Sequence, residues 1–167
     1  REAMRLYPRL LTPNYAFRNK HDLTFEEVGK SWGFDSIEVS NGMAFGDFDN
    51  DGALDVVVNC LNGPALLYRN ETGAPRVAVR LKGKAPNVQG IGAKLKVTGG
   101  PVTQTQEIMA GGRYVSGGDP LRGFAAGNAG TPDSEVTWAN GTRSHRKGVP
   151  AGHYREIAAA GTLPACA

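Results

Sequence analysis

The sequence is poor in the residue patterns that mark common catalytic sites. Its three histidines show neither HExxH nor i, i+4 spacing, and Ser116 in "YVSGG" lacks the preceding glycine of a G-x-S-x-G motif. The glycine-rich segment "GIGAK" (90–94) opens a predicted strand instead of a helix, so it offers no helix N-terminus to a phosphate. These absences argue against a zinc hydrolase and a nucleotide-binding loop, and against Ser116 as the serine of a nucleophile elbow.

Cysteine is equally scarce. Cys60 and Cys166 form no CxxC motif and have no zinc-ligand spacing. We interpret Cys60 as a buried thiol and Cys166 as a loose thiol in the tail. A disulfide between the two in an oxidising compartment is the alternative that the sequence leaves open.

Long apolar runs are also missing. No segment approaches the ~18 consecutive apolar residues of a membrane span, so the chain is not expected to cross a bilayer. The sequence begins at Arg1 and not at Met. We therefore expect it to be a processed product or an excerpt of a longer protein.

The net charge of +3 conceals two regions of opposite sign. Residues 1–75 carry a balance of −4, and residues 76–167 carry +7. Basic residues are scattered along alternating segments, and we interpret the one cluster, "RSHRK" (143–147), as a solvated hairpin edge instead of a phosphate-binding patch. Nucleic acid is therefore not an expected partner, and the change of sign near residue 75 indicates a module boundary.

Glycine and proline are abundant, which favours turns and short strands over long helices. The chain has 23 glycines and 10 prolines. "PNYAFRN" (13–19) and "PALLYRN" (64–70) align at a spacing of 51 residues, and such periods are typical of β-propeller blades. We predict a partial β-propeller-type repeat unit over residues 13–75, preceded by an N-terminal arm at residues 1–12.

A different pattern follows residue 75. Apolar and polar residues alternate at period two in "RVAVRLKG" (76–83), "GAKLKVTG" (92–99) and "VTQTQEIM" (102–109), so each should bury one face. Further strand-like segments continue to "HYREIAA" (153–159), and "ANGT" (139–142) is typical of a hairpin turn beside a core Trp138. We predict an all-β protein whose residues 76–160 form an antiparallel β-sandwich, followed by a tail at residues 161–167.

The most distinctive stretch is "FGDFDNDGALDVVV" (45–58). It carries four aspartates at positions 1, 3, 5 and 9 of a loop, namely Asp47, Asp49, Asp51 and Asp55. Like charges this close repel unless a cation neutralises them. Gly52 permits a sharp turn, the Ala53 carbonyl can face inward, and such oxygen donors suit Ca²⁺ better than Mg²⁺ or Zn²⁺.

The same aspartates could belong to two other kinds of loop. An EF-hand would need a glutamate at position 12, where this chain has Val58 inside an apparent strand. The EF-hand interpretation therefore fails. A solvated acidic turn between two strands remains open.

The aspartate loop resembles the calcium loop of FG-GAP/VCBS repeats, which build integrin-α-type propellers. "YAFRN" followed by "LTFEEVG" is similar to a strand pair of the same repeats. "VQGIGAKLKV" (88–97), "QEIMAGGRYVSGGDP" (106–120) and "SEVTWANGT" (134–142) resemble the ASPIC/UnbV domain, which commonly follows such repeats at the C-terminus of secreted proteins. The resemblance implies an extracellular or cell-surface, calcium-stabilised, all-β protein.

Carried over by position, the resemblance implies a single Ca²⁺ site. Its ligands would be Asp47, Asp49, Asp51 and Asp55, with Ala53 as the carbonyl donor. The first repeat copy has no acidic loop of its own. The chain also departs from the family in having "GFAAG" (123–127) where "HFGLG" is usual, so that strand is less bulky.

Two functions of different classes follow. The preferred one is an extracellular binding or assembly module without catalytic activity. The alternative is an auxiliary carbohydrate-binding domain of a secreted hydrolase, for which Tyr114 and Tyr154 are the candidate aromatics. Arg113 and Asp119 flank a glycine-rich loop, and we expect them to fix that loop to the sandwich, with a small polar site as the other option.

Assembly and glycosylation are two further expectations. A lone repeat unit should leave strand edges unpaired around "AFRN" and "VVVNC", which favours head-to-tail self-association into a ring or filament. The arm "REAMRLYPRLL" (1–11) would dock Met4, Leu6, Tyr7 and Leu10 on a neighbouring copy; the other option is that preceding blades complete the ring. Sequons place candidate N-glycosylation sites at Asn70 and Asn140.

Overall fold

The structure is a computed structural model that describes residues 10–111 and 113–159. Within these ranges it contains short β-strands and one 3-10 turn at Gly127–Ala129. The strands are β1 (Thr12–Pro13), β2 (Phe17–Asn19), β3 (Phe25–Glu27), β4 (Ile37–Glu38), β5 (Ser40–Gly46), β6 (Asp55–Cys60), β7 (Leu66–Tyr68), β8 (Arg76–Lys82), β9 (Lys94–Thr98), β10 (Gln104–Glu107), β11 (Gly117–Gly118), β12 (Arg122–Ala125), β13 (Asp133–Thr137), β14 (Arg143–Arg146) and β15 (His153–Ala158). The all-β prediction is confirmed.

The first module is built on a sheet with the strand order β11-β5-β6-β7, beside two-stranded ribbons β1-β4 and β2-β3. Both copies of the internal repeat contain a short strand, β2 in one and β7 in the other. The expectation of an unpaired edge at "VVVNC" is wrong, because β6 pairs with β5 on one side and with β7 on the other. The side chains of Val56 and Val57 are nevertheless only half-buried.

The second module is a sandwich of two sheets. One has the order β10-β9-β13-β14 and the other β12-β8-β15. Their inner faces form one apolar core, which consists of Val77, Val79, Leu81, Ala93, Leu95, Val97, Ile108, Phe124, Ala126, Val136, Trp138, Val149 and Ile157. The Trp138 indole N–H donates to Ser144 Oγ at 2.9 Å, so this core residue also satisfies its one polar group.

Two details of the sandwich differ from the sequence prediction. The β15 strand pairs with β8 in parallel, whereas the other sandwich pairs are antiparallel. A parallel pair needs a long crossover, and the chain between Lys82 and His153 supplies one through the opposite sheet. On the second face of β8, which was expected to be exposed, Ala78 is only 1% exposed, whereas Arg76 and Arg80 are half-buried. Gly52 of the aspartate loop lies against Ala78, because a Cβ added at Gly52 would be 3.5 Å from the Cβ of Ala78.

Some expectations fall outside the described residues. These are the arm contacts Met4, Leu6 and Tyr7, together with Cys166 in the tail. Leu10 is exposed and Cys60 is buried. No helix in the described part of the chain is long and apolar enough to cross a membrane.

Candidate metal centre

The aspartate loop connects the adjacent antiparallel strands β5 and β6. Gly46, the last residue of β5, pairs with Asp55, the first residue of β6. Between them the backbone turns sharply at Asn50, with φ of 58°, and at Gly52, with φ of 82°. Glycine and asparagine are the residues that tolerate these left-handed conformations, so the turn expected at Gly52 is present.

Three of the four aspartates converge. One carboxylate oxygen from each of Asp47, Asp49 and Asp55 lies within 4.8 Å of the others. Asp55 is only 2% exposed, which is unusual for an aspartate. A buried carboxylate beside two others is costly unless donors or a cation compensate its charge.

Backbone N–H groups provide part of that compensation. Asp55 accepts from the N–H of Phe48 at 3.0 Å and from that of Asn70 at 2.7 Å, one bond on each oxygen. Asp47 accepts from the N–H of Asp51 at 3.1 Å and from that of Gly52 at 2.9 Å. These bonds orient the carboxylates, and each oxygen retains a further lone pair that can face a cation.

Asp51 and Ala53 are placed differently from the three converging carboxylates. Asp51 does not belong to that group, and its Oδ1 accepts from the N–H of Ala53 at 2.7 Å. Ala53 is almost fully buried at the inner side of the loop. The structure thus brings together Asp47, Asp49 and Asp55, and leaves Asp51 exposed at the turn.

Arg69 is a basic partner of the loop. Its Nε lies 2.7 Å from Asp49 Oδ2, and both side chains are partly open to solvent. Arg69 belongs to the second copy of the internal repeat. In the first copy the matching Arg18 pairs with Glu26 at the same distance, 2.7 Å. One guanidinium leaves most of the charge of four carboxylates uncompensated.

The donor set fits a hard divalent cation. It offers carboxylate oxygens on alternate residues of a curled backbone, which is the type of site that Ca²⁺ prefers. Thiol or imidazole ligands, which zinc would favour, are absent from the loop sequence. Asp47, Asp49 and Asp55 are therefore the loop residues whose carboxylate oxygens lie close enough together to hold a metal ion.

The two sequons have different surroundings. Asn70 is half-buried beside the aspartate loop, and its Nδ2 donates to the Leu54 carbonyl at 3.3 Å. Asn140 is exposed in the β13–β14 hairpin turn, where its Oδ1 accepts from the N–H and the hydroxyl of Thr142. The acceptor nitrogen of Asn70 is thus already engaged, and Asn140 is the more accessible of the two.

An aromatic groove lies on the first module, and the sequence analysis did not identify it. Its volume is about 910 Å³, and its aromatic lining consists of Tyr15, Phe17, Trp32, Phe34, Phe45 and Tyr68. The polar residues Arg69, Asn70 and Glu71 line one part of it, next to the aspartate loop. These aromatic residues are distant from one another in sequence. The only sequence pattern that relates any of them is the internal repeat, which aligns Phe17 with Tyr68. Tyr114 and Tyr154, the aromatics expected at a cleft, are exposed but do not line this groove.

The remaining polar candidates are Arg113, Asp119 and the basic cluster at residues 143–147, and each contacts other residues of the chain. Arg113 lies over the Phe45 ring, 4.6 Å from its centroid, and Asp119 accepts from Arg80 Nη2 on both carboxylate oxygens at 2.9 Å. The expectation that they fix the glycine-rich loop to the sandwich holds for Asp119, whose partner Arg80 lies in β8. It is wrong for Arg113, because Phe45 lies in β5 of the first module. The basic cluster coincides with β14, an edge strand whose Arg143 lies 3.5 Å from Glu135.

Comparison with known proteins adds independent information. The FG-GAP-like repeat family matches residues 11–58, and the ASPIC and UnbV family matches residues 83–163. Cartilage acidic protein 1 of Xenopus tropicalis and that of Homo sapiens are each 40% identical over 57 residues, which is 34% of this chain and 9% of theirs. The mouse protein of the same name is 35% identical over 69 residues, 41% of this chain and 11% of its own. The chain thus spans about a tenth of the length of these relatives.

Proposed function

We propose that this chain, which matches the FG-GAP-like repeat family over residues 11–58 and the ASPIC and UnbV family over residues 83–163, is an extracellular binding module stabilised by one Ca²⁺ and without catalytic activity. The proposal rests on the convergence of Asp47, Asp49 and Asp55, with Asp55 almost completely buried. Without a cation this arrangement places two further carboxylates, the half-buried Asp47 and the exposed Asp49, beside the buried carboxylate of Asp55.

In the proposed site, Asp47, Asp49 and Asp55 would hold the ion, and Asp51 and the Ala53 carbonyl would add oxygen ligands. The ion would supply positive charge that neutralises the loop. The residues of the chain do the rest. Backbone N–H groups orient Asp47 and Asp55, and Gly52 curls the loop so that it reaches β8.

Calorimetric titration of the chain with CaCl₂ tests the site. We expect one ion per chain, and we expect Asp55→Asn to weaken binding by at least ~10-fold because it removes a buried charged ligand. Asp133→Asn is the matched control. Asp133 also accepts from a backbone N–H, that of Gly148 at 2.8 Å, but it is remote from the loop in sequence and lies in the sandwich. Absence of binding by the wild type, or equal binding by Asp55→Asn, would refute the site.

We also propose that the aromatic groove is the contact surface of the module and that copies associate through it head-to-tail, into a ring or an open filament. Exposed apolar surface of this extent is characteristic of an interaction site. Because a concave groove is not complementary to itself, its counterpart on the neighbouring copy would be a different surface, and such contacts can propagate.

A carbohydrate ligand is the second candidate for the same groove. Aromatic rings beside polar side chains, here Trp32 and Phe17 near Arg69 and Glu71, are the combination that a sugar-binding surface needs. Binding of the chain to a glycan array, lost on Trp32→Ala, would favour this candidate. Concentration-dependent association of the chain with itself, together with no binding to any glycan on the array, would favour self-assembly.

A further inference from the structure

A segment of the second module crosses to the first and extends its sheet. We call residues 113–119 the clasp. Within it, β11 pairs in parallel with β5, in the register Gly117 with Ala44 and Gly118 with Phe45. The free side of β5 is thereby covered by a strand that comes from more than 70 positions later in the chain.

Side-chain and backbone contacts reinforce this short pairing. The N–H of Asp119 donates to the Phe45 carbonyl at 2.7 Å, and the N–H of Met43 donates to Ser116 Oγ at 3.0 Å. Arg113 donates to the Gly117 carbonyl at 3.1 Å and lies over the Phe45 ring. The clasp is therefore held along β5 from Met43 to Phe45.

Asp119 also connects this sheet to the sandwich. Its carboxylate accepts from Arg80 in β8, and Arg80 lies over the ring of Tyr154 in β15 at 5.7 Å. The Asp119 carbonyl accepts from Arg122 Nη1 at 2.9 Å. Burial lowers the pKa of Arg122, an effect that Arg113 adds to and Asp119 opposes. One residue thus joins β5 of the first module to β8 and β12 of the second.

The clasp fits so closely that particular residues are required. A Cβ added at Gly42 would lie 2.1 Å from the Val115 carbonyl oxygen, so any side chain there would displace the clasp. Val115 itself has φ of 47°, a conformation that a β-branched residue adopts only under strain. Contacts elsewhere in the clasp must compensate for that strain.

The aspartate loop touches the same two strands as the clasp. It begins directly after β5, and a Cβ added at Gly52 would lie 3.5 Å from the Cβ of Ala78 in β8. Both connections between the modules therefore involve β5 and β8. A change in the order of the loop would alter the end of β5 that the clasp binds.

We propose that the clasp couples the two modules into one cooperative unit and transmits calcium occupancy of the aspartate loop to the sandwich. The second half of this statement rests on the proposed calcium site; the first half does not. Because coupling of two sites is reciprocal, opening the clasp also weakens calcium binding.

Hydrogen exchange of the full chain, followed by mass spectrometry with EGTA and with CaCl₂, tests the coupling. The informative peptides cover β6 and β8. The test variant is Gly42→Ala, and the matched control is Gly123→Ala, another strand glycine at which a Cβ meets nothing within 4 Å. In the wild type and the control we expect the amide hydrogens of β6 and β8 to exchange through one common opening. Calcium should slow the exchange of both strands about 5-fold or more.

In Gly42→Ala we expect β6 to exchange faster than β8, and calcium to slow β6 alone. Arg113→Gln removes the contact with Phe45 without introducing a larger side chain, and it should also make β6 exchange faster than β8. This second variant provides the test if Gly42→Ala does not fold. Separate openings of β6 and β8 in the wild type, unchanged by either variant, would overturn the coupling. If calcium slows neither peptide, the calcium site fails, while the EGTA data still decide whether the clasp couples the modules.

Discussion

The two modules differ in what holds them together. In the described residues, fifteen of the nineteen buried apolar residues lie in the sandwich, whereas nine of the seventeen large exposed apolar residues lie in the first module and two more in the arm before it. The sandwich has a continuous apolar core. The first module relies on strand pairing, on the hydrogen-bonded aspartate loop and on its contacts with the sandwich. The comparison indicates that the sandwich is stabilised by its own apolar core, whereas the first module has few buried apolar residues of its own.

Phenylalanine truncation should show the largest contrast. Phe124 is 2% exposed in the sandwich core, and Phe17 is 60% exposed in the first module. Phe124→Ala should lower the free energy of unfolding by ~3–5 kcal/mol, because it leaves a cavity among close-packed neighbours. Phe17→Ala should lower it by less than ~0.5 kcal/mol.

Urea denaturation followed by circular dichroism measures both variants of this pair. Equal losses would mean that the apolar surface of the first module is buried in the folded protein in solution. The distinction between the two modules would then be wrong.

Calcium removal should affect the first module most directly. With calcium at 100-fold its dissociation constant, binding to the folded state alone adds ~2.7 kcal/mol to stability, and chelation removes that amount. We therefore expect EDTA to lower the melting temperature of the wild type. Asp51→Ala should lower it without chelator, whereas Asp133→Asn should leave the effect of EDTA intact. Melting temperatures that do not respond to EDTA would contradict a structural role for calcium.

The sequence predicted features that depend on local patterns. Alternation predicted β9, the Asn-Gly turn predicted the β13–β14 hairpin, and aspartate spacing predicted a loop between two strands. Features that depend on distant partners were not predicted. Ala78 is buried because Gly52 lies over it, β15 is parallel to β8, and β5 is covered by the clasp. No local sequence pattern indicates which strand from a later part of the chain will pair with a given sheet edge.

The candidate site shows the same limit. Spacing alone cannot separate Asp51 from the other three aspartates, because all four carboxylates alternate along one loop. The structure separates them by hydrogen bonding: Asp51 turns toward the N–H of Ala53 while Asp55 is buried at the start of β6. The aromatic groove was missed because its rings come from several strands and loops and share no period.

Self-association should depend on the aromatic groove. Trp32 is 59% exposed within it, so Trp32→Glu should weaken association by ~10-fold or more, because a charge is costly to bury in an apolar interface. Tyr114→Glu is the matched control, since Tyr114 is more exposed, at 90%, but lies outside the groove. Sedimentation velocity over a range of concentrations measures the change. A wild type that stays monomeric at high concentration would refute association, and equal effects of both variants would assign it to another surface.

The smallest expected effect concerns the two arginines that occupy matching positions of the internal repeat. Arg69 pairs with Asp49 of the aspartate loop, and Arg18 pairs with Glu26, at equal distances and with both arginines exposed. Exposed pairs of this kind contribute at most about 1 kcal/mol, so Arg18→Gln and Arg69→Gln should each lower stability only slightly in EDTA.

The two variants should differ in their affinity for calcium. Arg69 places a positive charge against a proposed ligand of the ion, so its removal should tighten calcium binding by up to ~5-fold, given a coupling of at most about 1 kcal/mol between partly screened charges. Arg18→Gln should leave calcium binding unchanged. Parallel calorimetric titrations of both variants measure the difference, and weaker binding by Arg69→Gln would mean that Arg69 orients Asp49 for the ion instead of competing with it.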